Sequence, residues 1–389
     1  MKTSDLRVAL FSGNYNYVRD GANQALNRLV GYLLDHGVKV RVYSPTVEHP
    51  AFAPTGDLVS VPSVPIPSRG EYRLPIALPP SVRRDLEAFA PNLVHVSSPD
   101  IVGHRAVTWA RKRRIAVVAS VHTRFETYLE YYHLQAFEPL VRAGLRRFYH
   151  RCEVVLAPAP STAAILREQR MNRDVAIWTR GIDRNQFNPQ RRDMEWRRAQ
   201  GIGDDEMVIA FLGRIVMEKG LDVFADAIHA FARLGLRHRV LVIGEGPARA
   251  WFEQQLPDAI FTGQQTGTDL SRALASSDVF LNPSVTEAFG NVTLEAMACA
   301  LPVIAAESTG ATNLIKSGVS GTLVDGSEPQ EFAEALAAYA RDPDLRHRHG
   351  EAGLAVARTM DWDTINSAVI RAYKHAIVKR ERLTRMTGR

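Results

Sequence analysis

Residues 278–306, DVFLNPSVTEAFGNVTLEAMACALPVIAA, show most clearly how strand and helix patterns alternate in this chain. An apolar run ends at Asn282, a loop with Pro and Gly follows, 291–298 (NVTLEAMA) has helical spacing, and LPVIAA begins a second apolar run. A strand, a helix and a strand in this order predict a βαβ unit with two parallel strands. Two glutamates, Glu287 and Glu295, lie on either side of the glycine in the loop.

The same alternation runs along the whole chain. The apolar runs are LRVALFS, VKVRVYS, LVHVS, IAVVASV, EVVLAP and VAIWT in the first half, then MVIAFLG, HRVLVIG, AIFTG, DVFLNP, LPVIAA and GTLV in the second. The stretch 183–206 has many charged, Pro, Asn and Gly residues and predicts a linker. We predict an α/β fold with two Rossmann-like domains, 1–183 and 184–359, and an amphipathic helix over 360–389 that packs back on the first domain.

Size and charge limit the class of protein. A chain of 389 residues is long enough for two hydrophobic cores, and its net charge of +6 favours anionic partners such as nucleotides, phospholipid head groups or nucleic acid. Cys152 and Cys299 are far apart and outside any CxxC spacing, which predicts neither a disulfide framework nor a zinc site and fits a cytoplasmic location. The N-terminal apolar stretch predicts a strand and not a signal peptide, and no run approaches the ~20 apolar residues of a membrane span.

The loop between the two glutamates is expected to bind a ligand, because ligands of doubly wound sheets lie beyond the carboxyl ends of the strands. Gly290 permits a close backbone approach, and Asn291 is expected to cap the helix, which would place Glu295 one turn inside it. Both carboxylates would then line one pocket, which suits a sugar nucleotide. The spacing alone is equally compatible with a solvated loop residue at Glu287 and a helix-surface charge at Glu295.

A basic pair follows the first strand of the second half. Arg214 and Lys219 lie in FLGRIVMEKGLD, in the position of a strand-to-helix loop, where they could hold a pyrophosphate. The alternative is that both are ordinary surface charges.

Together these segments resemble a known family. GRIVMEKGLD, LVIGEGP, FTGQQ, PSVTEAFGNVTLEAMACALPVIA and STGATNLIKSGVSGTLV, preceded by GNYNYVRDGANQALNRL, VHTRFETYL and WTRGIDRNQFNP, resemble family 4 of the retaining glycosyltransferases over nearly the whole chain. The resemblance implies the GT-B fold, in which the parallel sheets of an acceptor-side and a donor domain face each other across a cleft.

The resemblance also implies roles for particular residues. Glu287 would contact the transferred sugar, Glu295 the ribose hydroxyls, and His122 the donor sugar from the first domain, although a histidine after a strand is by itself more often structural. The residues implied in catalysis are Glu287, Arg214, Lys219 and His122. The residues implied in donor binding are Gly21, Gly213, Phe289, Gly290, Asn291, Val292 and Glu295.

Three positions depart from the family pattern. Asp20 precedes Gly21 where a Gly-Gly pair is common, which leaves the acceptor side open. Ala300 stands where many relatives have glycine, and Asn313 stands where glutamate is frequent.

The expected reaction is a front-face displacement. No residue looks like a covalent nucleophile paired with a base, so the leaving phosphate oxygen would take the proton of the acceptor hydroxyl while the protein positions both substrates. We expect neither a cofactor nor a metal. GDP-mannose is the first expected donor and a UDP-hexose the second.

Basic and aromatic segments bear on the acceptor. The clusters at 111–114 and 140–151, with the basic tail from Lys374, predict either peripheral association with an anionic membrane or a solvated basic face. The aromatic segment 124–137 predicts either an acceptor wall or the core of a helix, and it is similar to segments of glycolipid-synthesising members. We therefore expect a lipid-linked or envelope glycan acceptor, reached from the cytoplasmic side of the membrane.

Three other classes of protein fit the sequence less well. A Rossmann oxidoreductase is one alternative, because GEGPAR begins like a dinucleotide fingerprint, but Arg249 stands where that motif requires a small residue. The basic residues are dispersed among acidic ones, which is not typical of a nucleic-acid-binding protein. A sugar-nucleotide-binding protein without catalysis would need the same cleft, but the presence of Glu287, Arg214 and Lys219 favours an enzyme.

Overall fold

The computed structural model describes residues 1–66, 69–122, 137–287, 289–308 and 310–387. The chain divides into two compact units, Met1–Thr179 with Asp363–Arg389 and Arg180–Trp362, which we call the first unit and the second unit. The predicted domain boundaries, after residues 183 and 359, lie a few residues from these divisions. The aromatic segment 124–137 lies outside the described residues except for Phe137.

The first unit is built on a parallel sheet of seven strands in the order β3-β2-β1-β6-β7-β8-β9. Its strands are β1 (Arg7–Phe11), β2 (Lys39–Ser44), β3 (Asp57–Ser60), β6 (Leu93–Val96), β7 (Ala116–Ser120), β8 (Val154–Ala157) and β9 (Val175–Ile177), and β4 (Ser63–Ile66) pairs antiparallel with β5 (Arg69–Pro75). Its helices are α1 (Gly21–Asp35), α2 (Pro80–Phe89), α3 (Ile101–Lys112), α4 (Glu138–Tyr149) and α5 (Pro160–Glu168).

The second unit has a parallel sheet of six strands in the order β12-β11-β10-β13-β14-β15. The strands are β10 (Met207–Leu212), β11 (His238–Ile243), β12 (Ile260–Gly263), β13 (Val279–Asn282), β14 (Val303–Ala306) and β15 (Thr322–Val324). The helices are α6 (Met194–Ala199), α7 (Leu221–Ala232), α8 (Arg249–Gln255), α9 (Gly267–Ala275), α10 (Asn291–Ala298), α11 (Ala311–Leu314), α12 (Pro329–Arg341), α13 (Pro343–Thr359) and α14 (Trp362–Thr387), the last of which belongs to the first unit from Asp363 onward.

The predicted α/β class with two parallel sheets is confirmed. Each of the twelve apolar runs contains one of the strands, but the sequence analysis missed β3 and the β4–β5 hairpin. The predicted linker at 183–206 is wrong as a description of this segment, since it contains α6 and belongs to the second unit. The guanidinium of Arg197 is buried and pairs with Asp278 at 2.9 Å. A charged residue of this segment therefore packs inside the second unit, although the charge of the segment predicts a linker.

Glycines hold the loop after β10 against the loop after β11. A Cβ atom on Gly246 would lie 2.2 Å from the carbonyl oxygen of Ile215, and one on Gly244 would lie 1.9 Å from that of Gly213. The amide of Ile215 also donates to the carbonyl oxygen of Glu245 at 2.9 Å. This close backbone approach fixes the segment that carries Arg214 beyond the carboxyl end of its strand.

A buried histidine lies in a central strand of the first sheet. His95 has no exposed surface, its Nδ1 lies 2.7 Å from the hydroxyl of Tyr373, and its Nε2 lies 2.9 Å from Oγ of Ser120. Burial lowers the pKa of His95 to about 3 from its ordinary value of 6.5. The ring is therefore neutral in the folded protein at physiological pH.

We expect Gly246→Ala to lower the free energy of unfolding by about 1–3 kcal/mol, because the methyl group forces the two loops apart. Thermal unfolding should show a lower midpoint than in Gly353→Ala, the matched control within α13, where the added atom makes ordinary contacts at 3.4 Å or more. Equal midpoints for the two variants would contradict the close approach.

We also expect His95 to destabilise the first unit in acid. Between about pH 6.5 and pH 3 the unfolded chain binds a proton at this ring and the folded chain does not, so stability falls as the pH falls, by up to about 1.4 kcal/mol per pH unit. Urea unfolding at several pH values in this window gives the free energy of unfolding as a function of pH. This free energy should fall less steeply with falling pH in His95→Gln than in the unaltered protein. The other histidines are present in both proteins, so parallel curves would show that His95 is not held neutral.

Candidate active site

The site residues of the second unit lie beyond the carboxyl ends of neighbouring strands. Gly213 and Arg214 follow β10 directly, and Lys219 ends a short 3-10 helix in the same loop. The segment from Glu287 to Gly290 follows β13, which is hydrogen-bonded to β10 in the sheet. Parallel neighbouring strands therefore bring two loops that are distant in sequence to one edge.

An ion pair joins these two loops. Nζ of Lys219 lies 2.6 Å from Oε1 of Glu287, and the side chains are 31% and 13% exposed. The hydroxyl of Thr286 donates to the carbonyl oxygen of Glu218 at 3.2 Å and supports the same approach. The left-handed φ of Gly220, 71°, and the 3.0 Å between its ideal Cβ position and the carbonyl oxygen of Pro283 require a residue without a side chain there.

The turn between the glutamates is held from a third loop. A Cβ atom on Gly310, which follows β14, would lie 2.7 Å from the carbonyl oxygen of Glu287. Phe289 is buried in the core of the second unit, so the turn is anchored on its inner side. Gly310 was not among the residues predicted from the sequence, where it is marked only by its position in a loop after an apolar run.

The start of α10 differs from the prediction. Gly290 is the N-cap, with a φ of 91°, and Asn291 is the first helical residue and not the cap. The reason is conformational, since the entry to the helix requires the left-handed region that glycine adopts without strain. Val292 follows in the first turn, and the half-buried Glu295 lies about one turn into the helix, as expected.

The predicted residues of the first unit lie at the ends of other strands. His122 follows β7, and its Nε2 lies 2.8 Å from Oγ of Ser120. The ring of Trp178 lies edge-on to that of His122, with centroids 5.6 Å apart. Ser120 and Trp178 were not identified from the sequence, where they appear as an unremarkable strand residue and a core aromatic.

Gly21 is the first residue of α1, and Asp20 is its N-cap. The carboxylate of Asp20 accepts from the amide of Asn23 at 2.8 Å, and the side-chain oxygen of Asn23 accepts from the amide of Asp20 at 3.2 Å. The departure from a Gly-Gly pair is thus a reciprocal cap. It places a negative charge where a bare helix terminus would attract an anion.

Two of the predicted site residues, Lys219 and Glu287, are in direct contact in the structure. Arg214 lies in the same loop as Lys219. His122 and Gly21 belong to the first unit and are described within it.

Comparison with known proteins identifies both parts of the chain. A profile described as Glycosyltransferase Family 4 matches residues 19–186, and one described as Glycosyl transferases group 1 matches residues 206–342. These matches leave no support for the oxidoreductase considered from GEGPAR.

Several curated proteins are similar over most of their length. A GDP-mannose-dependent alpha-mannosyltransferase of Mycolicibacterium smegmatis is 30% identical, over 96% of this chain and 99% of that protein. A protein of the same description from Corynebacterium glutamicum is 28% identical, over 97% and 91%. The sulfoquinovosyl transferase SQD2 of Arabidopsis thaliana is 29% identical, over 92% and 71%.

Solved structures share the fold. Sucrose-phosphate synthase from Thermosynechococcus elongatus superposes with a TM-score of 0.79 at 18% identity, over 96% of this chain and 99% of that one. Anabaena HepE in complex with UDP gives 0.75 at 19% identity, over 94% and 99%. These likenesses agree with the GT-B architecture. With two family profiles and relatives matched over almost their full length, the chain belongs to the family 4, or group 1, retaining glycosyltransferases.

Proposed function

We propose that this enzyme transfers a hexose, with mannose favoured, from a nucleotide-diphosphate sugar to a lipid-linked or envelope glycan acceptor. The observation that carries the proposal is the ion pair of Lys219 and Glu287 at the edge of the donor-side sheet. It places a cation suited to a phosphate beside a carboxylate suited to sugar hydroxyls. GDP-mannose is supported as donor by two relatives that are GDP-mannose-dependent alpha-mannosyltransferases, and a UDP-hexose is the second candidate because a structural neighbour was solved with UDP.

The ion pair also suggests how a donor is received. Without a ligand, Glu287 partly neutralises Lys219. A donor diphosphate brings additional negative charge to Lys219 and Arg214, so the ammonium can be shared and Glu287 is left to accept hydrogen bonds from the sugar. When the donor binds, the diphosphate would replace Glu287 as the partner of Lys219, and the sugar hydroxyls would replace Lys219 as the partners of Glu287. Neither half-buried charge is then left without a partner.

The proposed reaction needs no covalent enzyme intermediate. The bond between the anomeric carbon and the leaving phosphate oxygen breaks, and the acceptor oxygen forms a bond to the same face of that carbon. The proton of the acceptor hydroxyl passes to the leaving phosphate oxygen. Arg214 and Lys219 stabilise the charge that develops on the nucleotide diphosphate, and His122 orients the donor sugar. That this reaction needs no metal stays a prediction.

The proposal of a lipid-linked acceptor is supported by the surface of α4. On α4, Leu140 is 71% exposed and Arg146 and Arg147 are exposed, and Phe137, the N-cap of this helix, is 55% exposed. Exposed apolar side chains beside arginines suit an interface of apolar chains and anionic head groups. No helix in the described parts of the chain is long and apolar enough to cross a bilayer. We propose peripheral attachment at the cytoplasmic face of the membrane.

The donor class is tested by thermal unfolding with GDP, UDP and CDP at matched concentrations. One nucleotide at ~100 times its dissociation constant should stabilise the protein by about 2.7 kcal/mol. We expect Lys219→Ala to abolish the shift, because the variant loses the cation for the diphosphate. Lys316→Ala, which removes an exposed lysine of the same unit, should keep the shift. Stabilisation by none of the three nucleotides would contradict donor binding at this site.

Membrane attachment is tested by co-sedimentation with vesicles of phosphatidylglycerol and phosphatidylcholine. Leu140→Asp should lower binding to the anionic vesicles about tenfold, because it removes an exposed apolar side chain that would enter the bilayer and adds a charge of the same sign as the vesicle surface. Leu234→Asp alters a leucine in the second unit that is 44% exposed and should bind like the unaltered protein. Equal binding to neutral and anionic vesicles would argue against the proposed surface.

A further inference from the structure

The ring of His122 is connected by hydrogen bonds to the C-terminal helix. Oγ of Ser120 lies 2.8 Å from Nε2 of His122 and 2.9 Å from Nε2 of His95. Nδ1 of His95 lies 2.7 Å from the hydroxyl of Tyr373 on α14. We call these four side chains, all in the first unit, the hydrogen-bond relay.

The sheet register brings the relay together. His95 on β6 is paired with Val118 on β7, and Ser120 lies two residues further along the same strand. Because side chains alternate along a strand, Ser120 faces the same side as His95. His95 and Tyr373 have no exposed surface, and Ser120 is 2% exposed, so water does not compete for these bonds.

Tyr373 sets the direction of the relay. Within the described ranges, its hydroxyl has a single hydrogen-bonding partner, Nδ1 of His95. Burial raises the pKa of Tyr373, so the hydroxyl keeps its hydrogen and must donate it to this nitrogen. The opposite direction would leave a buried hydroxyl hydrogen without an acceptor, which is costly.

The remaining bonds follow in order. Burial keeps His95 neutral with one ring hydrogen, which therefore lies on Nε2 and is donated to Ser120. Oγ of Ser120 accepts from His95, and in the described ranges its one other partner is Nε2 of His122, so the buried hydroxyl gives its hydrogen to that nitrogen. A neutral His122 that accepts at Nε2 must carry its hydrogen on Nδ1.

We propose that Tyr373, acting through His95 and Ser120, fixes His122 as the tautomer with its hydrogen on Nδ1. A second contact restrains the same rings. Trp178 lies edge-on to His95 and to His122, with centroids 6.2 Å and 5.6 Å away, and its indole N–H donates to Oδ1 of Asn366 at 3.2 Å. Asn366 and Tyr373 both lie on α14, so this helix fixes both the hydrogen-bond direction and the aromatic wall of the relay.

The consequence for catalysis rests on the proposed function. If His122 faces the donor sugar, its Nδ1 presents a hydrogen, and the sugar oxygen that meets it is an acceptor. Tyr373, His95 and Ser120 are then positioning residues, which act on the substrate only through His122.

The tautomer can be observed directly without any ligand. The full chain, labelled with 15N in histidine, is recorded by two-bond 1H–15N correlation, and the His122 signals are assigned from their loss in His122→Gln. We expect a protonated Nδ1 and an unprotonated Nε2 in the unaltered protein. Tyr373→Phe removes the hydroxyl that sets the direction and should give a mixture of both tautomers.

A similar contact in the second unit provides a matched control. The hydroxyl of Tyr339 lies 2.7 Å from Nδ1 of the buried His349. Tyr339→Phe should change the His349 signals and leave those of His122 as they are. Circular dichroism checks that each variant is folded. If Tyr373→Phe does not fold, Ser120→Ala interrupts the relay at a second position.

A wild-type His122 protonated at Nε2 would overturn the proposal, and so would an unchanged tautomer in both relay variants. The link to transfer is tested separately with GDP-mannose turnover. We expect Tyr373→Phe to lower kcat about tenfold with the donor KM unchanged, as when the partner of a functional histidine is removed. An altered tautomer with unaltered kcat would uphold the relay and contradict the proposed role of His122.

Discussion

The ion pair of Lys219 and Glu287 depends on the parallel sheet of the second unit. The two residues are 68 positions apart, and they meet because β10 and β13 are hydrogen-bonded neighbours whose carboxyl ends lie at one edge. A parallel neighbour must end on the same side of the sheet, so loops after adjacent strands converge whatever their sequence separation. The pairing of strands therefore determines which loops meet at this edge, and so which side chains can interact there.

Close contacts between backbones then hold these loops against their neighbours. Gly246 allows the loop after β11 to support the loop that carries Arg214, and Gly310 allows the loop after β14 to press on Glu287. Each contact excludes even a methyl group. The cationic loop and the turn between the glutamates thus rest on backbone and not on flexible side chains, which reduces the conformational entropy lost when a ligand binds.

The sequence predicted those features that depend on local pattern. Each apolar run located a strand, and the interval between Glu287 and Glu295 placed a turn and a helix between them. β3 was missed because its four residues are exposed or half-buried and form no buried apolar run. The cap at Gly290 was assigned to Asn291 because side-chain preference favours asparagine, whereas the backbone required a left-handed residue. The relay could not be predicted, since Tyr373 and His95 are 278 positions apart and only the packing of α14 joins them.

The two units differ in what the starts of α1 and α10 offer to an anion. In the first unit, the amide of Asn23 is satisfied by Asp20, whose carboxylate also contributes a negative charge to the start of α1. In the second unit, the N-cap of α10 is Gly290, which has no side chain to cap the helix, and it lies in a loop that pairs with Lys219 through Glu287. Positive helix-end potential and a cation therefore coincide in the second unit, while in the first unit a carboxylate offsets the helix dipole. Under the proposed function this asymmetry assigns the diphosphate to the second unit and makes a neutral hydroxyl group, rather than a phosphate, the better ligand for the start of α1.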